Sequence, residues 1–194
     1  LIRSIPFSDA CLNREKWERR KGLELQGRAL GLIGCGKIGQ LVCQLALAFG
    51  MEVLAYDPFP NRNFSPGPSF RFADLEEVIA NSEIISFHCP EQTDGRPILD
   101  RKELNRLKPG VYVVNTARAS LIDETAILEA LHDGRVAGLA LDVFGHEPPD
   151  ATPLLSDDRV IVTPHIGGFT SESVSRATLA AVENLLKFFR GLTS

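Results

Sequence analysis

The chain is 194 residues long, enough for one domain with a substantial core and too short for two full-sized ones. Hydrophobic residues make up 44% and charged residues 24%, a globular balance that excludes a disordered or fibrous chain. Lys plus Arg number 21 against 25 Asp plus Glu, a formal charge of −4 with no long run of one sign, so nucleic acid and anionic membrane surfaces are not expected partners.

The opening residues, Leu1-Ile2-Arg3-Ser4-Ile5, lack an initiator Met, and the last periodic apolar segment stops almost at the terminus, so a piece of a longer protein is expected. From residue 29 onward, short β-branched and apolar runs alternate with stretches of helical period. Residues 29–33, 52–56, 84–87, 111–115, 138–143 and 160–163 read as six strands. Residues 38–49, 74–80, 101–107 and 124–132 carry apolar positions three and four apart, as amphipathic crossover helices do. That alternation predicts an α/β fold, a doubly wound parallel sheet of Rossmann type. Asp123 suits a helix start, and Gly50, Gly110 and Gly134 fall at helix ends or turns. The proline-rich stretch 61–69 reads as a surface loop, and 171–190 as one long amphipathic helix. No run of about 18 apolar residues and no leader peptide is visible. Cys11, Cys35, Cys43 and Cys89 have neither zinc-ligand spacing nor a CxxC pair, which fits a reducing cytosol, and no metal is expected.

Gly34-Cys35-Gly36-Lys37-Ile38-Gly39 follows the first strand and opens a helix. The first glycine suits a tight turn, the second admits a pyrophosphate close to the backbone, and the third permits close helix packing. The free amides at the helix start then hold the phosphates. Asp57 closes the second strand, where a carboxylate can accept both adenosine ribose hydroxyls and repel a 2′-phosphate, favouring NAD over NADP.

In an open parallel sheet, ligands bind outside the carboxyl ends of the strands. Arg118, Glu147 and His165 follow the fourth, fifth and sixth predicted strands and so belong at one edge. Hydride transfer to a nicotinamide needs a base for the accompanying proton. His165 suits the base, since imidazole titrates close to working pH, and a nearby Glu147 would orient the ring and stabilise the imidazolium. Arg118 offers a permanently charged fork for a substrate carboxylate.

Together with Tyr56-Asp57-Pro58, Asn115-Thr116-Ala117-Arg118, Leu141-Asp142-Val143-Phe144, Glu147-Pro148 and Thr163-Pro164-His165-Ile166-Gly167-Gly168, the glycine loop resembles the D-isomer-specific 2-hydroxyacid dehydrogenase family, over residues from about Trp17 to Arg190. The resemblance implies an NAD-dependent enzyme acting on a small 2-hydroxy or 2-keto acid, with Arg118, Glu147 and His165 in catalysis. It implies Asp142 at the nicotinamide, and Cys89, Pro90, Thr116, Ala117 and Gly167 lining the cofactor cleft. Residues 1–22 resemble an arm that packs on a partner subunit, implying a homodimer, or else an interdomain segment, with 23–190 as the Rossmann domain and the substrate domain absent. His88 matches a position near the adenine side, with a structural role expected to dominate. Ala119 stands where the family has Gly, and Gly95, Pro97 and Pro148-Pro149 also depart from its pattern. An NAD(H)-sensing corepressor-like binding protein and a methyl-donor-binding enzyme are the alternative readings.

Overall fold

The computed structural model describes residues 1–191. In chain order the elements are α1 (Ile5–Asn13), β1 (Ala29–Ile33), α2 (Lys37–Ala48), β2 (Glu52–Tyr56), β3 (Phe70–Phe72), α3 (Leu75–Asn81), β4 (Ile84–Phe87), α4 (Arg101–Leu104), β5 (Val111–Asn115), a 3-10 turn (Ala119–Leu121), α5 (Glu124–His132), β6 (Val136–Leu141), β7 (Val160–Val162) and α6 (Ser171–Phe189). The strands form one parallel sheet in the order β3-β2-β1-β4-β5-β6-β7. The chain first runs outward through β2 and β3, then returns past β1 to β4. The crevice between β1 and β4 is therefore the topological switch point, where such sheets take ligands.

The sheet has seven strands where the sequence predicts six. The added one, β3, has only three residues, too few to display alternation. Its partners are tertiary: it pairs with β2, and Phe70 packs edge-on against Phe64 and Phe72 at centroid distances of 5.2 and 5.0 Å. A second unforeseen element is α1, inside the segment read as an arm. The predicted strand 138–143 is shifted to Val136–Leu141. The helix expected over 101–107 stops at Leu104, where Arg106 and Leu107 bond three residues back, to Glu103 and Leu104, in place of four.

Two cores flank the sheet. On one side Ile85, Phe87, Val113 and Leu139 pack against Val78 and Ile79 of α3 and Ile127 and Leu131 of α5. On the other, Leu30, Leu32, Val53 and Ala55 meet Cys43 and Ala46 of α2. Each fully buried Leu, Ile or Phe contributes about 1.5–3 kcal/mol. Asp74, Asp100, Asp123 and Thr170 cap α3, α4, α5 and α6, each accepting an amide from the third residue on, at about 1 kcal/mol apiece. The turn glycines Gly50, Gly110 and Gly134 all take positive φ.

The apolar pattern of α2 has two faces. The small residues Gly39, Cys43 and Ala46 go to the sheet, while Ile38, Leu41, Leu45 and Phe49 stay exposed. Helix α6 buries none of its residues. Among the described residues, no helix is long and apolar enough to cross a membrane.

Candidate cofactor cleft and active site

Because every strand runs the same way, the residues after β1, β2, β4, β5, β6 and β7 meet at one edge. After β1 the chain turns at Gly34 with φ 97, and a Cβ there would lie 2.6 Å from the His88 carbonyl carbon. A Cβ on Gly39 would lie 2.2 Å from the Gly34 oxygen, so α2 starts in direct contact with the loop. The middle glycine is different: a Cβ on Gly36 meets nothing within 4 Å. No side chain caps α2, and Gly36, Lys37 and Ile38 are exposed. The leading amides of α2 thus face an open cradle of the kind that accepts a phosphate. Asp57, after β2, accepts the Cys35 amide at 2.8 Å and the Phe59 amide at 2.9 Å, which ties the second strand's end to the glycine loop.

An open cleft of about 420 Å³ runs on from this loop and is lined by Ile38, Cys89, Thr116, Arg118, Asp142 and His165 among others, with Pro90, Ala117 and Gly167 also on its walls. Gly34, Gly36, Lys37, Gly39, Asp57 and Glu147 border the glycine loop or the back of His165 and do not line the cleft. A second cavity, lined by Ile122, Ile127, Leu139, Leu141, Val143 and Leu154, is mainly apolar and contains none of Arg118, Glu147 or His165.

Each charged group has a local brace. Asn115, fully buried at the end of β5, donates to the Arg118 carbonyl at 2.8 Å and accepts the Ala117 amide at 3.0 Å, fixing the turn that presents Arg118. Ala119 enters the 3-10 turn without a positive φ, so the Cβ where the family has Gly is accommodated. Glu147, whose peptide bond to Pro148 is cis, accepts the Phe144 amide at 3.1 Å and lies 2.9 Å from His165 Nδ1. The His165 bond and the Phe144 amide hold the Glu147 carboxyl below its ordinary range, so it is ionised at neutral pH. With Nδ1 turned to Glu147, Nε2 is the ring nitrogen left for the cleft.

Two hydrogen bonds escape motif reading. His88, half-buried on the cleft wall, lies 2.9 Å from Ser86 Oγ, and burial lowers its pKa so that it stays neutral. Thr163 donates its hydroxyl to Asp142 at 2.6 Å. Burial lifts the Cys89 thiol to about 11 and the Cys35 thiol to about 11, so neither supplies a thiolate nucleophile to the cleft. Among the described residues no cluster of His, Cys, Asp and Glu is built to hold a metal ion.

Fold and site together define a Rossmann-type dinucleotide-binding domain with a charged Arg, Glu and His set at its ligand edge. Residues 1–167 match the family described as D-isomer specific 2-hydroxyacid dehydrogenase, NAD binding domain, and the chain belongs to that family. It is 40% identical over 192 residues to a D-3-phosphoglycerate dehydrogenase of Methanocaldococcus jannaschii, covering 97% of this chain and 37% of that protein. It is 42% identical over 190 residues to a hydroxypyruvate reductase of Thermotoga maritima, covering 95% and 61% respectively. Among solved structures, that of a D-2-hydroxyisocaproate dehydrogenase matches with TM-score 0.90 and 30% identity, over 100% of this chain and 63% of its own. A D-lactate dehydrogenase of Aquifex aeolicus, complexed with NAD and lactic acid, matches with TM-score 0.88 and 29% identity, over 98% and 63%. The chain therefore spans between about one third and two thirds of the length of these relatives.

Proposed function

We propose that this chain is the cofactor half of an NAD-dependent dehydrogenase of small D-2-hydroxy acids. The observation that carries the reading is the His165–Glu147 pair, 2.9 Å apart, opening onto the same cleft as Arg118 and next to the glycine loop. The amides of Gly36, Lys37 and Ile38 would hold the pyrophosphate, Asp57 the adenosine ribose, and Cys89, Pro90, Thr116 and Ala117 the walls of the cleft, with Asp142 and Gly167 on the nicotinamide side. When bound, the nicotinamide accepts hydride from the substrate carbon or returns it.

The side chains do the rest. Arg118 pairs with the substrate carboxylate and polarises the reacting oxygen. His165 Nε2 takes the hydroxyl proton as the carbonyl forms, and in reduction returns it to the alkoxide oxygen. Glu147, already ionised, stabilises the imidazolium and fixes the ring so that Nε2 faces the substrate. The relatives' names, D-3-phosphoglycerate dehydrogenase and hydroxypyruvate reductase, support short 2-hydroxy and 2-keto acids as the substrate class.

Residues 1–22 are assigned as an arm on a partner copy, giving a homodimer, and the free thiols fit a cytosolic setting. The test is NADH oxidation by the full-length protein with glyoxylate, hydroxypyruvate and phosphohydroxypyruvate. The proposal expects turnover of at least one, whereas tight NADH binding without turnover of any would move the reading to a dinucleotide sensor.

A further inference from the structure

The turn that carries His165 is built around one buried carboxylate. Asp142, only 4% exposed at the end of β6, accepts the Thr163 hydroxyl at 2.6 Å and the Ile166 amide at 2.8 Å on Oδ1, and the Gly167 amide at 2.8 Å on Oδ2. These donors bracket His165 on both sides. The contact is tight, since a Cβ on Gly167 would stand 2.9 Å from Oδ2. Between the donors, His165 itself takes φ 51, a left-handed conformation that a non-glycine residue keeps only when its surroundings enforce it. The backbone of Asp142 reaches the other catalytic turn: its amide donates to the Asn115 carbonyl at 3.0 Å, and Asn115 holds the Arg118 carbonyl.

We propose that Asp142 is a positioning residue, whose carboxylate locks His165 in its left-handed turn and keeps it in register with Arg118, a role separate from contact with the cofactor. The role rests on the assignment of His165 as the proton-transfer group. Burial alone would favour the neutral acid, but the Thr163, Ile166 and Gly167 hydrogen bonds outweigh it and lower the pKa, so the acceptor is an anion. Three charge-assisted bonds to one small turn leave that turn little freedom. Asparagine cannot replace the carboxylate, because one of its two heteroatoms is a donor and would oppose an N–H or O–H donor.

The test compares Asp142→Asn, Thr163→Val and Thr163→Ser in the full-length protein. Three readouts apply: the NADH dissociation constant, the single-turnover rate at saturating NADH, and the 15N signal of His165 Nδ1. Asp142→Asn should slow the single turnover at saturating NADH about a hundredfold, the scale of a misplacement near 1 Å. Its Nδ1 signal should lose the signature of the Glu147 hydrogen bond. Thr163→Val should shift the rate and the signal the same way by a smaller factor, and Thr163→Ser, which keeps the hydroxyl, should restore both. This pair preserves the test if Asp142→Asn fails to fold. An Nδ1 signal unchanged in Thr163→Val, or an Asp142→Asn variant that loses NADH affinity tenfold with an unchanged single-turnover rate, would overturn the proposal. The 15N signal reports ring placement whether or not the protein turns over, so failure of the positioning role is distinguishable from failure of the dehydrogenase reading.

Discussion

At the scale of single residues, the proposed NAD site asks two tasks of the Asp57 carboxylate. Asp57 accepts the Cys35 and Phe59 amides, and its position after β2 faces the place where an adenosine ribose would sit beside the glycine loop. Replacing it with Ser removes a negative charge that would repel a 2′-phosphate. Asp57→Ser is expected to narrow the preference for NADH over NADPH by at least about tenfold, read as the ratio of their dissociation constants; an unaltered ratio would contradict the selectivity role. The placement of Asp57, Arg118, Glu147 and His165 at one edge was legible in the sequence, because parallel strands bring the residues that follow them to the same side of the sheet. The Thr163–Asp142 and Ser86–His88 bonds were not, since each depends on how a turn or strand end is oriented once the sheet has formed.

At the scale of elements, the approach to His165 depends on how β7 is anchored. Arg159, just before β7, pairs with Asp157 through Nε at 2.8 Å and also donates to the Leu131 carbonyl at the end of α5. The Arg159 hydrogen bond holds the Asp157 carboxyl down to about 2 from 3.8. A folded-state pKa below the unfolded one contributes stability that is complete above the unfolded value and lost as pH falls towards the folded one. The wild-type chain should therefore lose stability more steeply than Asp157→Asn between about pH 4 and pH 2, read as urea midpoints across that window. Parallel slopes would show that the clamp contributes nothing. Elements with strong local pattern, β1, β2, β4, β5 and α5, were read from the sequence within a residue of their bounds. β3 was hidden because its support is pairing and aromatic packing. On α2 the pattern was visible but its polarity was not: the sheet takes the small face at Gly39, Cys43 and Ala46, and a Cβ on Gly39 would collide with the Gly34 carbonyl of the glycine loop.

At the scale of the whole molecule, much apolar surface lies open. The outer face of α2, most of the apolar positions of α6, and Trp17 at 80% exposure are all uncovered in the single chain. Arg20 stacks over Phe7, 3.5 Å from its ring centroid, and pairs with Asp158, which fixes the base of the 1–22 segment against the domain while Trp17 projects outward. If that segment is the dimer arm, Trp17→Ala should weaken self-association about thirtyfold (~2 kcal/mol) in sedimentation equilibrium; an unchanged association constant would assign Trp17 another role. The proposed division of labour, with His165 moving the proton and the bound nicotinamide the hydride, is tested most directly by stopped-flow single turnover. Full-length protein loaded with NADH is mixed with the keto acid it reduces, as wild type and as His165→Ala. A rate about 10²–10⁴-fold lower is expected in the variant, with NADH affinity within twofold of wild type. An equal rate in both would contradict it.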